Sequence, residues 1–598
     1  MLHAALAAVV ALAAAPSFAD RVISAQAYYD KLYGSWLGQL IAIATGIPTE
    51  GYFANQYPNP DVGVPWVTHS IWPTDDASDI EYFAGFVFRD NGLQPGSAAL
   101  AAEWAAHVPP YSVFFANREA AFLMLEGRMP PESGSFHWNP YYWAIDPQLT
   151  TEAIGAASPG LRQWAINTVG TWSHITTDGM PVHAAQFYAA MYAAAAFESD
   201  VPTLIQRGLE AIPASSRTAW AVQDVLGWYA ADMIDGLPDW RATRALIYHK
   251  YRDYNSDSGG RYQGWYESTV NVAATVLGLL YGGGLYEDTV QITILAGWDT
   301  DCNASSAGGL VGMIVGYSGL PASLTSQCGD IYRNDVRPDL PLPGPLPQDD
   351  SLTAICQRWQ AIAEQVLVSQ GGWIEGSGPT RVYHIPDEAP LITEPESWDP
   401  SGPRGLVGRL AAQGQPVTVT ARIAKYNPDI DRDRLTGIID GITDPRYNGH
   451  KAYSTQVEVA PPVGTEDYYQ INFGQDVWAT EVVFHEGDFE IPGNSDVRVA
   501  TFVGGYFETL VVELRRDGAW VAPVAQQSEA LDRRKAFQTI AFNFAPQRCD
   551  AVRIRGIAGG SQRFTTIMEL EVNGSLTPIY SLHSVPTPMG PRILIAEP

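Results

Sequence analysis

The feature that most constrains this chain is a change of hydrophobic period that divides it in two. Up to about residue 372, apolar and small residues recur at helical spacing, as in AAQFYAAMYAAAAFE (184–198) and VNVAATVLGLLYGGG (270–284). Ala and Gly are dense there, which lets helices approach closely. SLTAICQRWQAIAEQVLVSQGG closes this region as an amphipathic helix with a Gly-Gly stop. After residue 403 the pattern becomes QPVTVTARIAKY, YYQINFG, ATEVVFHEG, SDVRVATFVG, ETLVVELRRDGAWV, FQTIAFNFAP, DAVRIRGIAG and TTIMELEVNG. These short β-branched and aromatic runs, parted by Gly, Asn, Asp and Pro, predict an antiparallel β-sandwich. The 598 residues exceed one ordinary core. The expected organisation is therefore multidomain, with an all-α domain over 20–372, a Pro-, Glu- and Gly-rich linker over 373–402 and a sandwich over 403–598. DVRPDLPLPGPLPQDD (335–350) reads as an extended surface connection inside the first domain, because a good helix follows it.

The first residues, MLHAALAAVVALAAAPSFAD, form an apolar run ending in a small-x-small site after Ala19. Residues 1–19 read as a secretory signal, and the mature protein as exported to the periplasm or beyond. No other stretch is long and apolar enough to span a bilayer. A formal charge of −29 argues against nucleic acid or an anionic membrane surface as partner, and suits a protein that holds cations. Four cysteines (Cys302, Cys328, Cys356 and Cys549) are too few for a disulfide framework, and Cys328 with Cys356 is the pair to consider. Neither CxxC nor His-x-x-x-His occurs, which disfavours structural zinc.

Acids cluster in two places. GWDTDCNASSAGGLVGMIVG (297–316) sets Asp299 and Asp301 before a small-residue helix, and WPTDDASDIEYF (72–83) sets Thr74, Asp75 and Asp76 before Asp79 and Glu81. Helix capping explains one acid in each segment and leaves the others idle. Convergence on a hard cation such as magnesium, manganese or calcium is the alternative, since all donors are oxygens. A third segment, YGSWLGQLIAIATGIPTEG (33–51), carries Gly34, Gly38 and Gly46 at helix-packing spacing, with Glu50 just past Pro48.

Taken in order, GSWLG…GIPTEG, PTDDASD and GWDTDCNASSAGGLVG resemble the ADP-ribosylglycohydrolase family. The likeness covers most of residues 28–372, including TWSHITTDGMPVHAAQFYAAMYAAAAF. The resemblance implies an all-α fold with two divalent ions in a central cleft, usually magnesium, with manganese as the alternative. It puts the ligand positions on Thr74, Asp75, Asp76, Asp299 and Asp301, and makes Glu50 the acid near the substrate that orients or activates water. Two departures stand out. Cys302 replaces the family's Thr or Ser, and a thiol suits magnesium poorly, so either one ion is weaker or Ser305 and Ser306 substitute. Ala77 replaces a Thr, with Ser78 one place late, which leaves open a register shifted onto Asp76, Ser78 and Asp79.

The C-terminal region, from LTGIIDGITDPRYNG to TTIMELEVNG, resembles a discoidin or galactose-binding-like sandwich. Such domains often bind carbohydrate through loops at one end, and some hold a structural calcium. Together the resemblances imply metal-assisted hydrolysis of a glycosidic bond, the substrate being an ADP-ribosyl adduct. A saccharide cleaved through the same metal centre is the alternative that export and a sugar-binding module suggest. A non-catalytic carbohydrate-binding protein is the third, favoured by Cys302 and Ala77. His174, with Asp178 nearby, reads as structural. NPYYWAIDP (139–147) reads either as a ring-stacking loop or as a cover for the core.

Overall fold

The structure is a computed structural model that describes residues 21–54, 63–73, 75–234, 236, 238–252, 262, 264–333, 341–342, 344–345, 349–393, 402–423, 435–446, 452–457, 459–491 and 502–579. The leader assigned to 1–19, Thr74 and most of SDVRVATFVG lie outside the described residues.

The helical region is built on one close helix pair. Helix α1 (Ala25–Gly46) begins at Ser24, whose hydroxyl accepts the Ala27 N–H. It lies along the helix Thr300–Val315, here α4, and the two backbones nearly touch. A Cβ on Gly38 would fall 2.7 Å from the Gly308 carbonyl oxygen, and one on Gly46 would fall 2.5 Å from the Asp301 Cα. Only glycine permits that approach, and the approach brings the end of α1 onto the start of α4. Helix α2 (Asp76–Asn91) and helix α3 (Ser268–Gly282) complete the surroundings of that junction; α3 is buried along nearly its whole length. Met180–Ala194 is likewise buried on all sides, the behaviour of a helix with no solvent face. Among the described residues no helix is long and apolar enough to cross a membrane.

Residues 373–385, assigned to the linker from composition, are structured. Val382–Ile385 pairs antiparallel with Arg21–Ser24 on one side and with Trp373–Glu375 on the other. The start and the close of the helical region are thereby tied in one three-stranded sheet. Within 335–350, Asp349 and Asp350 pair with Ile331–Arg333, which runs parallel to Ile71–Trp72 just ahead of α2. All four cysteines are free, so Cys328 and Cys356 are not joined.

The C-terminal region is an antiparallel sheet wrapped around its own core. Two long strands, Glu466–Glu486 and Thr539–Ile557, pair antiparallel with each other along most of their length. Glu466–Glu486 is irregular between Asn472 and Val477, where Gly474 has φ +71 and the alternation of buried residues breaks. Its first part pairs with Thr418–Ala421 and its second with Thr566–Ser575. The two regions meet through an apolar seam in which Tyr142, Trp143 and Phe136 pack with Phe489, Phe537 and Met568. The Ala536 N–H donates to the His137 carbonyl, His137 Nδ1 lies 2.9 Å from the Ala536 carbonyl oxygen, and with an Arg446–Asp178 ion pair at 3.7 Å they close the seam's polar edge.

Candidate functional site

Three chain segments converge where α1 ends. Asp299 is the N-cap residue of α4 but makes no capping bond with its side chain, and Asp301 sits in the first helical turn. The preceding turn is held open by Gly297 (φ +99) and Trp298 (φ +63). The Trp298 ring is fixed beneath the Arg244 guanidinium, whose nitrogens donate to the Ala296 and Phe53 carbonyls. The Asp299 N–H donates to Asn271 Oδ1 from α3, and Asn303 Nδ2 donates to the same oxygen. The two aspartates therefore do not diverge as they would inside a helix. One donor atom each from Asp299, Asp301 and Cys302 lies within 4.8 Å of the others.

On the facing segment, Asp75 caps α2 by accepting the Ala77 N–H at 3.0 Å, and Asp76 opens the helix. Both are half-buried. Asp79 is fully buried and accepts the Tyr332 hydroxyl at 2.6 Å, with Ser78 Oγ 3.1 Å from that same hydroxyl. The shifted register thus finds Ser78 and Asp79 already engaged with the strand Ile331–Arg333. Glu50 lies at the exposed rim, one residue past the turn Ile47–Thr49. The Gly51 N–H donates to the Trp298 carbonyl, and Thr300 Oγ1 donates to the Gly46 carbonyl, so the rim is fastened to the start of α4.

Electrostatically this is a cluster of acids running from the exposed Glu50 through Asp75 and Asp76 to the buried Asp299 and Asp301. Burial, and then Glu50, pushes the Asp299 carboxyl up to about 8. Burial, then Asp299, Glu50 and Asp76, raises Asp301 well above the carboxylate range. Asp75 is raised by burial and by Asp76, and Glu50 by partial loss of water and by Asp76. Asp299 Oδ1 and Asp301 Oδ1 are buried with no hydrogen-bond partner. A buried carboxylate oxygen in that condition is costly unless a proton or a cation satisfies it. The carboxylate donors and these orphaned oxygens fit a hard divalent cation, with the Cys302 sulfur the one soft atom among them. Cys302 is buried with Sγ 3.8 Å from Asp301 Oδ2, and burial followed by Asp299 and Asp301 raises its thiol, which keeps it neutral. Ser305 and Ser306 are buried with unpartnered hydroxyls.

Other sequence candidates lie elsewhere. Asp178 pairs with Arg446 at the seam. In NPYYWAIDP, Tyr141, Tyr142 and Trp143 are buried in the seam core, which is the covering role. The same loop holds a residue that sequence reasoning passed over. Asp146 is 6% exposed, accepts the Asn117 N–H through Oδ1 at 3.0 Å, and leaves Oδ2 buried without a partner. Burial pushes it up to about 7, opposed by the Asn117 N–H and reinforced by Asp76. Asn271 and Asn303 were also missed, being ordinary polar residues within helical runs.

The model of the family described as ADP-ribosylglycohydrolase matches residues 24–360, more than half of the chain. Among solved structures, an ADP-ribosylglycohydrolase-related protein complex is similar at 13% identity, covering 56% of this chain and 99% of that one, with a TM-score of 0.36. The family 32 CBM from C. perfringens NanJ in complex with galactose is similar at 13% identity, covering 26% of this chain and 92% of that one, with a TM-score of 0.18. CBM32-1 from a family 31 glycoside hydrolase of C. perfringens gives 10% identity, 26% and 93% coverage and a TM-score of 0.18. No curated protein matches the chain.

Proposed function

Because the chain belongs to the ADP-ribosylglycohydrolase family, a family of hydrolases, we propose that it is a divalent-metal-dependent glycohydrolase cleaving the bond between an anomeric carbon and its leaving group. The observation that supports this reading is the Asp299–Asp301 pair, whose ligand atoms lie within 4.8 Å of one another with a buried oxygen on each left unpartnered, and whose field reaches Asp75 and Asp76. These four residues, with Thr74 as a fifth ligand, would hold two magnesium ions. When bound, such a pair supplies Lewis-acid polarisation of a water and of sugar hydroxyls. Glu50, exposed at the rim, takes the proton from the attacking water and orients it toward the anomeric carbon. Asn271 and Asn303 keep the Asp299 turn in place while charge develops. The glycone is an ADP-ribosyl unit or a saccharide ring. The N-terminal apolar run supports export.

In the sandwich, Glu569 is 1% exposed, its Oε2 lacks a partner, and burial followed by Asp440 pushes it up to about 9. We assign a structural calcium to Glu569 and Asp440.

The test is calorimetric titration of magnesium, manganese and calcium into chelator-treated protein, comparing wild type with Asp299→Asn/Asp301→Asn. Saturable magnesium or manganese binding that disappears in the double variant is the expected result. Equal binding in both proteins would move the signal to the sandwich and sink the catalytic metal assignment.

A further inference from the structure

Resting on the metal-dependent reading above, we propose that Asp299, Asp301 and Cys302 form an ion position selective for a thiophilic divalent cation of the zinc or cobalt class over magnesium, with Cys302 Sγ as a ligand. Magnesium offered alone fills this position as well as its neighbour. The softer ion displaces it from this one only.

Among the described residues no other three His, Cys, Asp or Glu side chains bring their ligand atoms this close, within 4.8 Å of one another. All three donors come from four consecutive residues. Asp299 follows the turn at Gly297 and Trp298, and Asp301 and Cys302 occupy the first turn of α4. Arg244 over the Trp298 ring, and Asn271 on the Asp299 N–H, fix the backbone from which the donors project. The three side chains are almost equally buried, at 3%, 5% and 6% exposed. A cation held there keeps little of its water. Magnesium gives up water reluctantly and usually retains several molecules, whereas zinc is content with four close ligands.

The sulfur is placed as a ligand would be. Sγ stands 3.8 Å from Asp301 Oδ2. Bonds of about 2.3 Å to sulfur and about 2.1 Å to oxygen, opened to a tetrahedral angle, set two ligand atoms about 3.6 Å apart. Cys302 also clusters with Ala77, the residue after Asp76 on the facing segment. After burial, the charges its thiol feels are, in order, Asp299, Asp301, Asp76 and Asp75. Sγ is therefore turned toward the acids of both segments.

A free buried cysteine is commonly a small apolar filler. Cys356, fully buried in the helical core, is of that kind. Cys302 differs in having carboxylates within reach, with one oxygen of Asp299 and one of Asp301 lacking any hydrogen-bond partner. A hydroxyl at this position would leave an all-oxygen set suited to magnesium, and sulfur moves the preference toward zinc. Coordination exchanges the S–H bond for a sulfur–metal bond, and the proton passes to solvent. Asp75 and Asp76 remain as oxygen donors for the second ion, which stays magnesium.

The experiment is titration of cobalt(II) into the whole chelator-treated protein, followed by absorbance, with and without excess magnesium. Wild type, Cys302→Ser and Asp299→Asn/Asp301→Asn are compared, and melting curves verify that the variants fold. Expected in wild type is a sulfur-to-cobalt charge-transfer band that saturates, survives excess magnesium and is abolished by zinc. In Cys302→Ser the band is absent, and cobalt and zinc bind at least about tenfold more weakly, the cost even of an outer-shell change. Magnesium binds that variant no more weakly than it binds wild type. Cobalt binding without the band in wild type would overturn the proposal, as would erasure of the band by magnesium. A band that survives Cys302→Ser would do the same, by placing the sulfur ligand on another cysteine. Failure of the metal reading is seen separately, as wild type that takes up neither magnesium nor cobalt.

Discussion

The two regions of this molecule bury carboxylates in opposite ways. In the sandwich, Asp467 is fully buried, yet it accepts from the Thr455 and Thr565 hydroxyls and the Tyr468 N–H and pairs with Arg422 at 3.2 Å. Glu513 is opposed by burial, but hydrogen bonds from Arg555 and Arg553 win and hold it below the usual range. In the helical region Asp299, Asp301 and Asp146 are buried with oxygens that nothing satisfies, and every resolved shift among the acids of the cluster is upward. An acid supplied with donors is holding a fold together. An acid left without them is waiting for a ligand, a metal or a substrate hydroxyl. Glu486 and Glu569 break the division, each having an unpartnered oxygen inside the sandwich, and it is at Glu569 that calcium is assigned.

The sharpest way to break the comparison is to change an acid on each side and read different quantities. Glu50→Gln keeps the shape of the rim and removes the proton acceptor. Turnover is expected to fall about 10²- to 10⁴-fold with metal binding retained, measured as kcat on the substrate found by screening. Loss of metal binding along with activity would make Glu50 a ligand instead. Asp467→Ala is expected to destabilise the sandwich by about 3 kcal/mol, because Arg422 and two hydroxyls lose a buried acceptor. Denaturant unfolding measures this, and a cost near zero would mean that water replaces the carboxylate there.

How far these features were legible depends on whether their cause is local. The helical and strand periods, and the glycines that let α1 touch α4, are written in adjacent residues, and the structure has them where the pattern predicts. YYQINFG and ATEVVFHEG read as two strands because Gly474 interrupts the alternation, whereas the chain passes through that irregularity as one strand, Glu466–Glu486. FQTIAFNFAP and DAVRIRGIAG merge in the same way into Thr539–Ile557. Residues 373–385 read as linker because their strand partner, Arg21–Ser24, lies some 360 residues away. Asp146 was hidden for a related reason. Within NPYYWAIDP it is one acid after three aromatics, and its significance comes from Ala77, Cys302 and Tyr266, which only folding brings beside it.

The smallest expected effect concerns pH and tests the unpartnered acids as a group. A carboxyl raised on folding binds its proton more tightly in the native state than in the unfolded chain, where it ionises near 4. Between about 4 and the native values near 7 for Asp146 and 8 for Asp299, the native protein holds the extra protons. Metal-free stability contributed by these groups is therefore present at low pH and lost as pH rises through that window, by at most about 1.4 kcal/mol per pH unit for each proton. Magnesium binds the ionised form, so it restores more stability at pH 8 than at pH 6. Melting curves of chelated and magnesium-loaded protein should diverge as pH rises, and the divergence should collapse in Asp299→Asn/Asp301→Asn. Parallel curves in wild type would mean that these carboxylates are satisfied by something other than a metal, and the division between the two regions would lose its functional meaning.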